Sequence, residues 1–435
     1  MLVKKRQPSV SNGGCRKPLG GMEFYMNKRM NRKKLNIGTY FLDDYACTEN
    51  HVKELSECGI DFVVCMEDKR ETLDLFLKYN VGAVVSHIVP FWWSAKKFNP
   101  PPGTMAEHNP IADYEKAAES FKDHPAIWGI DCGDEPSALD FKHYGKVMDS
   151  VNSRFENQFG YVNLYPNYAT VAVNNAQETV SQLGVPTYDK YIEDYCKYVG
   201  TDYICYDFYV YSCDVPRMYR NLITVADACT KTGRSMWIVL QVNSHKEEKF
   251  ISENQLRYQA YTAMAFGAEN IIWACYTKGW WHNQVLDAEG NKTEQYEKLK
   301  KINAEIKSIA DEYMKYRRCN THFVGFGKEN SELEGVKYES QEQLDTGIFT
   351  DFKADGSCVV GEMAGRYDNS HGLFVFAAGD SQDDSPQICN VTFNAGERKI
   401  SLVGTDKDIV LNDNGNGSYS LSIPSNQAVI IKENY

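Results

Sequence analysis

The sequence predicts a protein of the α/β class: a (β/α)8 TIM barrel followed by a C-terminal antiparallel β-sandwich. Three observations carry that reading. Eight short apolar runs alternate with amphipathic stretches over about 280 residues, the rhythm of a (β/α)8 chain. No glycine-rich phosphate loop follows the first run, which sets aside a doubly wound open sheet. After Arg318 the pattern changes to short alternating runs broken by Gly, Asn and Asp.

The eight runs are "LNIGTYFL", "IDFVVCM", "VGAVVSHIVP", "AIWGIDCG", "FGYVNLYP", "TDYICYDFYVY", "SMWIVLQV" and "NIIWACYT". Between them, "TENHVKELSECG" and "KRETLDLFLKYN" have helical periodicity. "SENQLRYQAYTAMAFGA" opens with a capping box, Ser252 to Gln255. Leu299, Ile302, Ile306, Ile309 and Tyr313 mark the apolar face of a long helix after the eighth run. The strands "GLFVFAAGD", "ICNVTFN", "KISLVGT", "DIVLNDN", "GSYSLSIP" and "QAVIIKE" then follow, with "NDNGNGS" as a turn. The expected organisation is a basic, disordered tail over 1–34, a catalytic barrel over 35–316 and an accessory β-sandwich over 317–435.

A net charge of −12 argues against non-specific nucleic-acid binding and against an anionic membrane surface. No apolar run approaches the ~18 residues that span a bilayer. The 13 cysteines form no CxxC pair and no short disulfide framework, so reduced, buried thiols in a cytoplasmic protein are expected. The tail lacks the apolar core of a signal peptide. Aromatics reach 13% with 28 tyrosines, which suits either a sugar cleft or tyrosine-rich strands packing a core. No metal-site spacing, no cofactor motif and no nucleophile elbow stands out. The expected partner is a carbohydrate, with a homo-oligomer left open.

Active sites of such barrels gather at the C-terminal strand ends, and side chains alternate between lumen and helices. In the sixth run, Ile204, Tyr206, Phe208 and Val210 point outward, leaving Cys205, Asp207 and Tyr209 inside. The seventh run directs Gln241 and Asn243 inward, and the fifth Asn163, Tyr165 and Asn167. In the fourth, "WGIDCGDEP", Asp131 and Glu135 share the inner face, and Asp134 faces away unless the strand end bulges. Glu135 at that rim is the candidate catalytic acid; Asp134 fits better as a cap for the helix after Pro136. Asp207 is a candidate second carboxyl group, or a buried acid that merely holds a partner. Tyr40, His87, Tyr209 and Tyr276 stand at strand ends where a sugar would lie, although His87 fits a core histidine equally well. The loops "FWWSAKKFNPPPG", with Trp93, and "KGWWHN", with Trp281, offer stacking platforms.

"WGIDCGDEP" resembles the Asn/Asp-Glu-Pro signature of clan A glycoside hydrolases, the β-galactosidase and cellulase superfamily. "YVNLYPNYA", "YICYDFY" and "LDAEGNKTEQYEKLKKINAEI" resemble a β-galactosidase-like bacterial branch of it. The resemblance covers residues 35–316 and implies hydrolysis of a β-linked glycan with Glu135 as general acid/base. It also implies a nucleophilic glutamate at the end of the seventh strand, where this chain has Gln241, and an amide cannot form the glycosyl-enzyme ester. Three explanations stay open: Asp207 is the second group; a substrate acetamido group acts as nucleophile beside Asp134–Glu135, as in hexosaminidases; or the protein binds sugars without cleaving them.

Overall fold

The computed structural model describes residues 29–86, 102–169, 182–247, 249–277, 281–327, 330–380, 385 and 387–434. His87 and Trp93 lie outside them. The barrel strands are β1 (Asn36–Tyr40), β2 (Phe62–Met66), β3 (Gly82–Val85), β4 (Ile127–Asp134), β5 (Phe159–Asn163), β6 (Tyr203–Phe208), β7 (Ser235–Gln241) and β8 (Ala268–Ala274). They form one parallel sheet in the order β5-β4-β3-β2-β1-β8-β7-β6. The seam between β5 and β6 is closed mostly by side chains. Past the end of β5, the Leu164 N–H donates to the Cys205 carbonyl at 2.9 Å. Lower down, the Tyr203 hydroxyl donates to the Gly160 carbonyl (2.7 Å) and accepts from the Val162 N–H (3.1 Å).

Helices between the strands bury the apolar stripes read from the sequence. Their starts are set by Thr48, Thr187, Asp214, Ser252 and Thr293, whose side chains each accept a first-turn N–H. The Ser252–Gln255 capping box forms in both directions. Leu299, Ile302, Ile306, Ile309 and Tyr313 are all buried on the helix Glu294–Tyr313. The helix Glu253–Ala265 is buried on every side from Gln255 onward, because the second domain covers the face that solvent would otherwise wet. Tyr258 and Tyr261 both set their rings against Phe376 of that domain, at 5.7 and 6.0 Å.

The C-terminal part is a sandwich of six antiparallel and mixed strands against four. In the strand His371–Ala377, Leu373, Val375 and Ala377 face the second sheet, whereas Phe374 and Phe376 face the barrel helices. Both faces are therefore apolar, and the domain is fused to the barrel rather than tethered to it. The "NDNGNGS" turn is a tight hairpin with Asn416 and Gly417 both at positive φ (52° and 76°), the pairing an Asn-Gly turn supplies at least cost. Four strands were illegible in the sequence: Tyr316–Val324, interrupted by two arginines, the short Ser340–Gln341, Thr350–Ala354 and Cys358–Gly365.

Residues 29–34, expected within the disordered tail, are instead ordered against the barrel floor. Met30 is buried in the lumen cluster. The Arg29 guanidinium donates to the carbonyls of His124 and Ile127. Arg32 lies 4.4 Å from the Trp237 ring centroid and pairs with Asp202 at 2.9 Å. A polar, basic segment gave no apolar signal for this role, because its cations act over aromatic faces and on strand-start carbonyls.

Candidate active site

The lumen is filled in layers. At the floor, Tyr203 and Trp237 stack at 4.2 Å and 16°, and Phe159 meets Trp237 edge-on at 5.5 Å. Trp128 reaches over Gly82, where even a Cβ would lie 2.1 Å from the indole. Above them come Tyr161, Cys205 and Val239, and at the rim Asn163, Asp207 and Gln241.

β4 contributes three carboxyl groups to the rim because it bulges. Asp131 pairs with Tyr161, but Gly133 already pairs with Val162 and Asp134 with Asn163. The extra residue turns Asp134 inward beside Asp131, the outcome the sequence reading reserved for a bulged strand end. The cap expected of Asp134 is taken by Ser137, whose hydroxyl accepts from the Leu139 N–H. Glu135 follows with a left-handed φ of +50° and donates its N–H to the Asn163 carbonyl at 2.8 Å. A non-glycine residue holds that conformation only where its surroundings fix it, and here it swings the Glu135 carboxyl onto Asp207.

The result is a buried group of acids. Glu135 hydrogen-bonds Asp207, and both aspartates, 134 and 207, repel its charge. Asp134 and Glu135 keep partial contact with solvent, yet burial is the largest influence on Glu135 and raises its pKa well above the carboxylate range, followed by Asp207 and Asp134. Asp207 is pushed up to about 7 by burial first and by Asp134 next. Deeper down, burial and Asp134 push Asp131 to about 8; it accepts from the Gly133 N–H and the Cys65 thiol.

Asn163, seen facing inward but not singled out from the sequence, joins these acids. Its Nδ2 donates to Asp207 Oδ1 at 2.9 Å and to Asp134 Oδ1 at 3.1 Å. The donor that holds Asp207 is this amide. Tyr209 does lie beside the pair, with its ring edge-on to Trp281 at 4.4 Å. The His245 ring also lies against Trp281, 5.0 Å between centroids. Reciprocal backbone bonds between Ser244 and His282, 2.9 and 3.0 Å, hold the β7 and β8 loops together there.

The other expected site residues divide. Tyr40 is in the lumen, its hydroxyl 2.8 Å from that of Tyr161. Gln241 is inward, but its amide is fully engaged: Oε1 accepts from the Tyr211 N–H (3.0 Å) and Nε2 donates to Ser212 Oγ and the Asn243 carbonyl (3.1 and 2.9 Å). Tyr276, expected at the mouth, points the other way into the helix layer near Cys58 and Tyr296, because Cys275 takes the inward position. Asn167 likewise bonds the helix Val215–Thr232, through Asn221 and the Arg217 carbonyl. β5 ends at Asn163, so strand alternation no longer applies four residues on.

Among the described residues no group of three or more His, Cys, Asp or Glu could hold a metal ion, and no helix is long and apolar enough to cross a membrane. No family model matches the chain, and no curated protein matches it. Among solved structures, a cycloisomaltooligosaccharide glucanotransferase from Paenibacillus sp. aligns with a TM-score of 0.54 at 8% identity, over 92% of this chain and 85% of that one. A glycoside hydrolase family 30 subfamily 8 xylanase from Clostridium acetobutylicum gives 0.48 at 10% identity, over 92% and 96%. Xylanase 10B from Thermotoga maritima gives 0.42 at 12%, over 62% and 95%. At such identities the likeness shows the fold: an eight-stranded parallel barrel with antiparallel sheets behind it.

Proposed function

We propose that this protein is a glycoside hydrolase acting on a β-linked glycan or glycoside, with Glu135 as general acid and Asp207 as the second carboxyl group. The observation that carries the reading is the Glu135–Asp207 contact at the C-terminal rim of the barrel. Burial keeps a proton on Glu135 near neutrality, ready for the departing glycosidic oxygen. Asp207 is the partner that attacks C1 or takes a proton from water. The two groups touch, so a sugar must part them: about 5–5.5 Å between them gives retention, about 6.5–9.5 Å leaves room for water and gives inversion. Tyr209 and Trp281 border the space where the sugar enters. Gln241 stands where the resemblance calls for a nucleophile, and its engaged amide makes it a brace for the loop after β6.

One observation favours a second reading, substrate assistance. The β4 bulge turns Asp134 in beside Glu135, which is the pairing a 2-acetamido sugar needs to be oriented and protonated together. A panel of nitrophenyl glycosides, with and without a 2-acetamido group, separates the two. Cleavage of neutral β-glycosides that Glu135→Gln abolishes supports the first reading; cleavage restricted to 2-acetamido sugars supports the second. A wild type that binds sugars but cleaves none defeats both and leaves a carbohydrate-binding protein.

A further inference from the structure

Asn163 holds a position that the catalytic reading does not use. It is 4% exposed and each of its polar groups has a fixed partner. The Cys205 thiol donates to its Oδ1 at 3.7 Å. With that donor committed, the Cys205 sulfur accepts from the Tyr161 hydroxyl (3.3 Å), and Tyr161 from Tyr40 (2.8 Å). The chain of bonds fixes which end of the amide is oxygen, and therefore aims both Nδ2 hydrogens at Asp207 and Asp134. Its backbone carbonyl holds the Glu135 N–H. One residue thus touches all three acids.

We propose that Asn163 is a positioning residue that places the shared proton of the Glu135–Asp207 pair on Glu135. An amide N–H can only be donated, so the Asp207 and Asp134 oxygens facing it must accept. Glu135 receives no such donor on its carboxyl from Asn163 and is left to give its own O–H to Asp207. Both aspartate contacts are charge-assisted, the stronger kind of hydrogen bond. The inference rests on the glycosidase reading only for its consequence, which is that Glu135 and not Asp207 is the acid.

The other titratable groups facing the trio keep out of the way. Among the described residues they are Tyr40 from β1, Cys65 from β2, Asp131 from β4, Tyr161, Tyr165 and Tyr168 from β5 and its following loop, Tyr188 and Tyr191 from the helix Tyr188–Tyr198, Cys205 from β6, Tyr209 just past it, and Cys275 after β8. Burial lifts every phenol and thiol in this set, so among these described groups only the carboxyl groups change charge through neutral pH.

The test is a ¹³C NMR titration of the full chain with labelled Glu and Asp carboxyl carbons, assigned with Glu135→Gln and Asp207→Asn. On the plateau between the two macroscopic steps of the pair, wild type should show Glu135 at its protonated shift and Asp207 at its ionised shift. Asn163→Ala should lower the Glu135-to-Asp207 proton ratio at least tenfold, bringing both carbons to intermediate shifts. The near-isosteric Asn163→Leu, which keeps most of the side-chain volume and removes both donors without adding an ionisable group, should move the ratio the same way and decides the matter if the alanine variant does not fold. An unchanged ratio in a folded variant overturns the proposal. Because the readout needs no substrate, it stands apart from the glycoside panel: a wild type without activity defeats the catalytic reading while the titration still decides the role of Asn163.

Discussion

The two ends of the barrel lumen are built from the same three strands and could hardly differ more. β5, β6 and β7 run from Phe159, Tyr203 and Trp237 at the floor to Asn163, Asp207 and Gln241 at the rim, through Tyr161, Cys205 and Val239. At the floor, stacked rings exclude water and the Arg32 guanidinium lies over them. At the rim, four acids share a buried space with amides. Burial stabilises the first end and works against the second, where it forces carboxyl groups to keep protons they would lose in water. The difference assigns stability to one end and chemistry to the other, and each assignment can be broken separately.

The largest effect belongs to the rim. Glu135→Gln should lower kcat/KM on a cleaved glycoside by roughly 10²- to 10⁴-fold, with melting temperature little changed; equal losses of activity and stability would contradict the division. At the floor, Trp237→Ala should cost about 3–5 kcal/mol of unfolding free energy, measured by urea denaturation, with kcat per folded molecule retained.

The third prediction concerns pH. Asp131 titrates at about 8 in the folded chain and near 3.9 when unfolded. As pH rises from 4 to 8 the unfolded state loses this proton first, so stability falls across that window and levels off above it. Asp131→Asn removes the loss. It should be nearly neutral at pH 4 and stabilising by on the order of a few kcal/mol at pH 8; a variant whose gain does not grow with pH would show that Asp131 is ionised at no cost. The smallest effect is expected at Arg32→Met, about 1 kcal/mol from the cation over Trp237, with no change in activity.

Much of this was legible in the sequence. The eight apolar runs, the Ser252 capping box and the stripe from Leu299 to Tyr313 are local patterns, and local patterns survive folding. Strand alternation put Asp207, Tyr209 and Gln241 on the inner face, where β6 and β7 pair with each other in unbroken register. It failed where the backbone departs from regular strand. The β4 bulge turned Asp134 in, which alternation alone left conditional, the end of β5 released Asn167, and Cys275 displaced Tyr276 from the lumen. No single-residue signal marks a bulge, because it is set by how β4 must shift to pair with β5. Asn163 was missed for another reason: its meaning comes from what it bonds, and its partners lie on two other strands.

The most direct test of the rim pair is Asp207→Asn assayed on an activated aryl glycoside, alone and with azide. If Asp207 is the nucleophile paired with Glu135, hydrolysis should collapse and azide should restore turnover by attacking the face the carboxylate has vacated. Collapse without rescue assigns Asp207 to water activation, still as the partner of Glu135. Near-normal hydrolysis by Asp207→Asn would contradict the pair outright and pass the role to Asp134.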